Sequence, residues 1–153
     1  MVAMITPESP QKDQVRILVV DDHPNTAATL ARALTQLGPV VNVIAATSGR
    51  DALEKVKTVG VDILFTDMIM PEMTGLELIE KMQSHPAGRP AYTYLVTAYD
   101  VPGLKVTAHR LKVNEVIVKP VRPERIFQIA TNAIEEMKQT TRPVKNVVVG
   151  KKK

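Results

Sequence analysis

Two hydrophobic periods alternate along this chain. Short, nearly continuous apolar runs read as buried strands at residues 15–20 (VRILVV), 40–46, 61–66 (VDILFT), 91–97 and 115–118. Between them apolar residues recur at helical spacing. Ala27, Leu30, Ala31, Leu34 and Leu37 mark a helix over 24–37, stopped by Gly38-Pro39. Ser48 is a candidate N-cap for a helix over 49–59, with Gly60 as its stop. Thr74-Gly75 opens a third helix with Leu76, Leu78, Ile79 and Met82 on its apolar side, and SHPAGRP follows as a loop. Residues 102–112 read as a short fourth helix. Pro123, suited to a first helical turn, starts a fifth that turns Ile126, Phe127, Ile129, Ala130, Ala133, Ile134 and Met137 inward.

Five strand–helix units without an internal repeat predict an α/β fold: a doubly wound, five-stranded parallel sheet with helices on both faces. The right-handed crossover rule leaves few topologies. One domain over 15–138 is expected, between a flexible lead at 1–14 and a basic tail or linker at 139–153.

In such a sheet the carboxyl ends of the strands lie on one edge, where ligands bind. Asp21-Asp22 follows the first strand, Asp67 the third, Thr97 ends the fourth, and Lys119-Pro120 follows the fifth. Three carboxylates and an ammonium thus converge from distant parts of the chain. That set suits a divalent cation plus a phosphoryl group. An oxygen-only acidic pocket favours Mg²⁺ or Mn²⁺ over zinc or copper. Asp22 has a second reading, as N-cap of the helix that Pro24 starts.

Composition removes other classes. There is no Cys, so disulfides, zinc–thiolate sites and thiol nucleophiles are excluded, and a cytoplasmic location is the expectation. No apolar stretch approaches the roughly 20 residues of a membrane span, and the first residues lack a signal-peptide pattern. The net charge of +4 is carried by Arg142, Lys145, Lys151, Lys152 and Lys153; without them fifteen basic residues face sixteen acidic ones. With aromatic content of 3%, no direct nucleic-acid binding is expected.

VVDDHP, TDMIMPEMTGLEL, VTAYD and VIVKP occur in that order, with 45 residues from Asp22 to Asp67, 30 to Thr97 and 22 to Lys119. Together they resemble the response-regulator receiver domain, the CheY-like family of two-component signalling, over residues 15 to about 138. The resemblance implies the flavodoxin-like strand order 2-1-3-4-5. It implies that Asp67 is a phosphoacceptor, forming an acyl phosphate. Asp22, Asp67 and the main-chain carbonyl of Ile69 would hold Mg²⁺, with Asp21 acting largely through water. Lys119 would meet Asp67 and then the phosphoryl oxygens, Thr97 would donate its hydroxyl to one of them, and Pro120 would follow a cis bond. Gly75 would let its loop pass close to the site, which Pro71 and Met70 shape.

The implied function is a phosphorylation-activated response regulator. A sensor histidine kinase or histidine phosphotransfer protein donates to Asp67, and an output partner reads the change. The domain catalyses only its own phosphorylation and dephosphorylation. The fourth helix, fifth strand and fifth helix would form the readout face and a route to a dimer; Lys105, His109, Arg110 and Lys112 make that helix basic. No output-domain motif follows residue 138, so a stand-alone receiver is expected first, and a fragment of a larger regulator or hybrid kinase second.

Two positions depart from the family pattern, and two more bear on phosphoryl lifetime. Val116 stands where receivers usually carry the aromatic switch residue, and Val121 where Phe often follows the Lys-Pro pair. Ile69 and Tyr99 stand beside the path of the attacking water, and neither is a small polar group. A slowly hydrolysing phosphoryl-aspartate is therefore expected. Val116 also leaves room for a phosphorylation-independent pseudo-receiver. A haloacid-dehalogenase-like phosphatase would need a second Asp at position 69, and a flavodoxin-like cofactor binder a phosphate-cradling loop where DDHP stands.

Overall fold

A computed structural model describes residues 14–99 and 101–140; residues 1–13 and 141–153, which carry most of the expected lead and basic tail, lie outside it. Strands and helices alternate: β1 Val15–Val20, α1 Pro24–Thr35, β2 Val41–Ala46, α2 Gly49–Lys55, β3 Ile63–Asp67, α3 Gly75–Gln83, β4 Tyr92–Thr97, α4 Leu104–Arg110, β5 Glu115–Val118 and α5 Pro123–Thr140. The strands form one parallel sheet in the order β2-β1-β3-β4-β5. This is the expected doubly wound arrangement.

Alternate residues of each strand feed opposite faces, as the two-residue period of a strand requires. Ile17, Val19, Ile63, Phe65, Tyr94, Val96 and Ile117 pack with Leu30 and Leu34 of α1 and with Ile126, Ile129, Ala130, Ala133 and Ile134 of α5. Leu18, Val20, Leu64 and Leu95 pack on the other face with Ala52, Leu78, Ile79, Met82 and Leu104 of α2, α3 and α4. Phe65 stacks on Tyr94 with ring centroids 4.9 Å apart. Burial on both faces explains why the central strands read as unbroken apolar runs.

Several helix ends differ from the expected ones for local reasons. Gln36, Leu37 and Gly38 donate to carbonyls three residues back, so α1 tightens and ends at Thr35 rather than Leu37. The same bonds from Lys57 and Val59 end α2 at Lys55, with Val56 buried at its C-cap. Gly103, with φ 86°, is the N-cap of α4, which keeps Pro102 out of that helix. Lys112, with φ 64°, lies beyond its end. In β3, Asp62 is not counted in the strand; its carbonyl accepts from both Ala91 and Tyr92, and its carboxylate from Arg16 N–H at 2.8 Å. The Asp22 cap reading is corrected: the N-cap of α1 is His23, and no side chain caps that helix.

Candidate functional site

The β1 and β3 registers place Val20 beside Thr66, so Asp21 and Asp67 leave adjacent strands at the same edge. Lys119 arrives from β5, where its N–H donates to the Thr97 carbonyl at 2.7 Å. Its Nζ then reaches back across the sheet. It donates to Asp21 Oδ2 at 3.1 Å and lies 3.4 Å from Asp67 Oδ1. Asp21 and Asp67 are buried, while the Lys119 side chain is 26% exposed. The ammonium therefore sits between two acids at the mouth of the pocket. The Lys119-Pro120 peptide is cis, as expected.

Electrostatics follow from this packing. Burial, and then the negative charge of Asp21, push the Asp67 carboxyl above its ordinary value of 3.8; Lys119 and the Met68 N–H, which donates to Asp67 Oδ1 at 2.9 Å, oppose the rise. Burial also pulls the Lys119 ammonium down, but its hydrogen bond to Asp21 and the charges of Asp67 and Asp21 outweigh that and leave it raised. The pocket thus shifts the acid toward its neutral form relative to a free carboxylate. A cation placed there would reverse that shift.

The donor set fits such a cation. Asp21, Asp22, His23 and Asp67 each offer a ligand atom, all within 4.8 Å of one another. Asp22 Oδ1 is inaccessible and has no hydrogen-bond partner. Leaving a carboxylate oxygen buried and unpaired is costly unless something else satisfies it. His23 was not among the residues that the motif reading singled out; its place directly after the paired acids in VVDDHP was the available signal.

The β3–α3 loop is shaped around Asp67. A Cβ at position 75 would overlap the Asp67 carbonyl oxygen and come within 2.9 Å of Leu95 Cδ1, so only Gly fits there. Gly75 N–H donates to the Met68 carbonyl at 2.8 Å. Thr74 and Glu77 close a reciprocal capping box at the start of α3. Met70 is buried and Pro71 exposed.

The remaining residues stand apart from the acids. Thr97 is buried at the end of β4, and its hydroxyl donates to the Tyr99 carbonyl while accepting from the Tyr99 N–H, both at 3.1 Å. Ile69 and Tyr99 are exposed, at 59% and 66%. Val116 is half-buried against the α2–α4 face of the sheet, and Val121 packs against the other core.

Known proteins resemble this chain in sequence and fold. The response regulator receiver domain matches residues 17–131. Chemotaxis protein CheY1 of Helicobacter pylori is 32% identical over 111 residues, 72% of this chain and 89% of that protein. Sensory transduction protein LytT of Enterococcus faecalis is 33% identical over 125 residues, 82% of this chain; the match spans only half of LytT. A solved CheY-like response regulator receiver domain protein from Methanospirillum hungatei JF-1 superposes with a TM-score of 0.71 at 26% identity, covering 82% of this chain and 98% of that one. With its sheet order, its edge of three acids and one lysine, and a family match over most of its length, this chain belongs to the response regulator receiver domain family.

Proposed function

We propose that Asp67 accepts a phosphoryl group from a phosphohistidine on a sensor histidine kinase or histidine phosphotransfer protein, and that an output partner reads the modified surface. The observation that carries this reading is Lys119 Nζ, held between Asp21 and Asp67 from the far strand. Asp67 Oδ attacks phosphorus, the P–N bond breaks, and its electron pair leaves on the imidazole of the donor. Asp22, Asp67 and the main-chain carbonyl of Ile69 would hold Mg²⁺ or Mn²⁺, with Asp21 acting through water. Such an ion, when bound, neutralises phosphoryl oxygens and orients them.

The chain's own residues do the rest. Lys119 opposes the rise that burial and Asp21 impose on Asp67, and offers its ammonium to the incoming oxygens. Thr97 must give up its two bonds to the Tyr99 main chain to donate to the phosphoryl group, which ties the β4–α4 loop to the chemistry. The added charge of about −1.5 to −2 supplies the driving force for that exchange. Val116 offers no aromatic ring to follow Thr97, so the readout runs through the loop and α4 instead. Neither Ile69 nor Tyr99 is a small polar group placed to orient a hydrolytic water, which favours a long-lived phosphoryl group.

Incubation with acetyl phosphate or phosphoramidate and Mg²⁺ tests this, read by intact mass. One phosphoryl group should be gained, and lost with EDTA or in Asp67→Asn. No gain would move the reading to a pseudo-receiver in which a partner throws the switch.

A further inference from the structure

We propose that His23 is a further ligand of the acidic metal site and tilts its choice from Mg²⁺ toward Co²⁺ and Ni²⁺. The inference rests on the metal-dependent phosphoacceptor reading above. His23 Nδ1 lies 3.2 Å from Asp21 Oδ1 and 3.3 Å from Asp22 Oδ1. Cis ligands around an octahedral ion with bonds of about 2.1 Å stand about 3 Å apart, so the 3.3 Å spacing to Asp22 Oδ1 matches an edge of one coordination sphere.

The backbone is set for this. Pro24 begins α1, and the His23 N–H donates to Asp21 Oδ1 at 2.9 Å. His23 occupies the N-cap, yet its side chain makes no capping bond; the imidazole meets the acids instead. Asp22 Oδ1 stays without a hydrogen bond although Nδ1 is 3.3 Å away. Nδ1 faces a carboxylate oxygen of each acid: it can hydrogen-bond to Asp21 Oδ1 at 3.2 Å, or, with the ring proton on Nε2, turn its lone pair to a cation held between them. The ring is 71% exposed, which leaves it free to adjust to an ion.

Chemistry gives the direction. Carboxylates suit Mg²⁺ and Mn²⁺, whereas an imidazole nitrogen adds affinity selectively for later transition metals. A site that adds one imidazole to these oxygen donors therefore discriminates less sharply in favour of Mg²⁺ than an all-oxygen one.

Calorimetric titration of the full chain with Mg²⁺ and with Co²⁺ tests this, beside the visible absorption of bound Co²⁺. The variants are His23→Ala, His23→Gln and Asp67→Asn, with circular dichroism to check the fold. His23 caps nothing through its side chain, so its variants should fold normally. Both His23 variants should lose at least about tenfold in Co²⁺ affinity while Mg²⁺ changes by less than about twofold, and the Co²⁺ band should shift. Equal changes for both metals, or none, with both still weakened by Asp67→Asn, would overturn the role of His23 and leave the acidic site standing. Co²⁺ binding indifferent to Asp67→Asn would place that ion elsewhere and overturn the inference as well. Mg²⁺ binding indifferent to Asp67→Asn would bring down the underlying reading.

Discussion

Two loops at the carboxyl edge, residues 68–74 after β3 and residues 98–103 after β4, are held very differently. The first is braced throughout. Gly75 returns a hydrogen bond to Met68, Met73 N–H donates to Pro71 at 2.7 Å, and Thr74 and Glu77 cap one another. The Met73 side chain also lies where a Cβ on Gly49 would be, with Sδ 2.5 Å from that position, so the loop leans on the start of α2. The second loop enters a seven-residue helix through Gly103, whose side makes no cap. Tyr99 and Val101 are exposed. Among its described residues, the bonds within it are those of Tyr99 to the Thr97 hydroxyl and of Leu104 N–H to the Val101 carbonyl. The loop that follows Asp67, the proposed phosphoacceptor, is fixed, and the loop expected to respond is lightly tied. A switch needs both: a rigid place for the charge change and a neighbour that little energy can move.

Glycine substitutions should break this comparison most severely. Gly75→Ala forces a Cβ into the Asp67 carbonyl and should cost about 3 kcal/mol in urea denaturation. Gly103→Ala meets nothing within 4 Å and bears only its left-handed φ of 86°, worth about 1–2 kcal/mol. Equal losses would mean that the two loops are not built differently.

Lys119→Met should cost about 2 kcal/mol at neutral pH, below the usual loss for a fully buried pair because Lys119 is partly exposed. The share due to Asp67 exists only while that carboxyl is ionised; it should fade as pH falls through a range that begins above the ordinary 3.8, and urea midpoints across pH would show it.

Asp67→Asn should move stability the other way. The folded carboxyl titrates above its ordinary 3.8, so the native state holds the proton more tightly than the unfolded chain. Metal-free wild type therefore loses stability as pH rises from about 3.8 through the folded value, and Asn removes that slope. The thermal midpoint in EDTA at pH 7 should rise by about 3 °C in the variant. Added Mg²⁺ should stabilise wild type, by about 2.7 kcal/mol at a hundred times its dissociation constant, and should do little for the variant.

Thr74→Ala sharpens the contrast at the smallest scale. Losing the capping box should cost about 1 kcal/mol and raise amide exchange at the start of α3 toward the level of α4, where no side-chain cap exists to lose.

Most of this architecture is legible in the amino-acid order. The strands are apolar on both faces, and the acids and lysine stand directly after them, so sheet order alone brings Asp21, Asp67 and Lys119 together. Where prediction and structure part, the cause is local backbone geometry. Gly103 in a left-handed conformation delays α4, and three-residue hydrogen bonds end α1 and α2 early. Hydrophobic spacing carries no information about those turns. His23 escapes for a different reason: a lone histidine beside two acids gains meaning only once its Nδ1 is seen between them. The resting partner of Thr97, the main chain of Tyr99, is likewise a matter of side-chain rotamer, to which the motif is silent.

The bond from Lys119 to Asp21 joins residues 98 apart in the chain. During synthesis at about 5–20 residues per second, the three acids emerge well before the lysine that balances them. Until β5 docks on the sheet edge, the pocket holds carboxylates without their ammonium. The last strand thus completes the chemistry as well as the sheet. On the proposed reading, an unfinished chain would lack the ammonium that meets the phosphoryl oxygens at Asp67, which would limit modification before the surface that reports it exists.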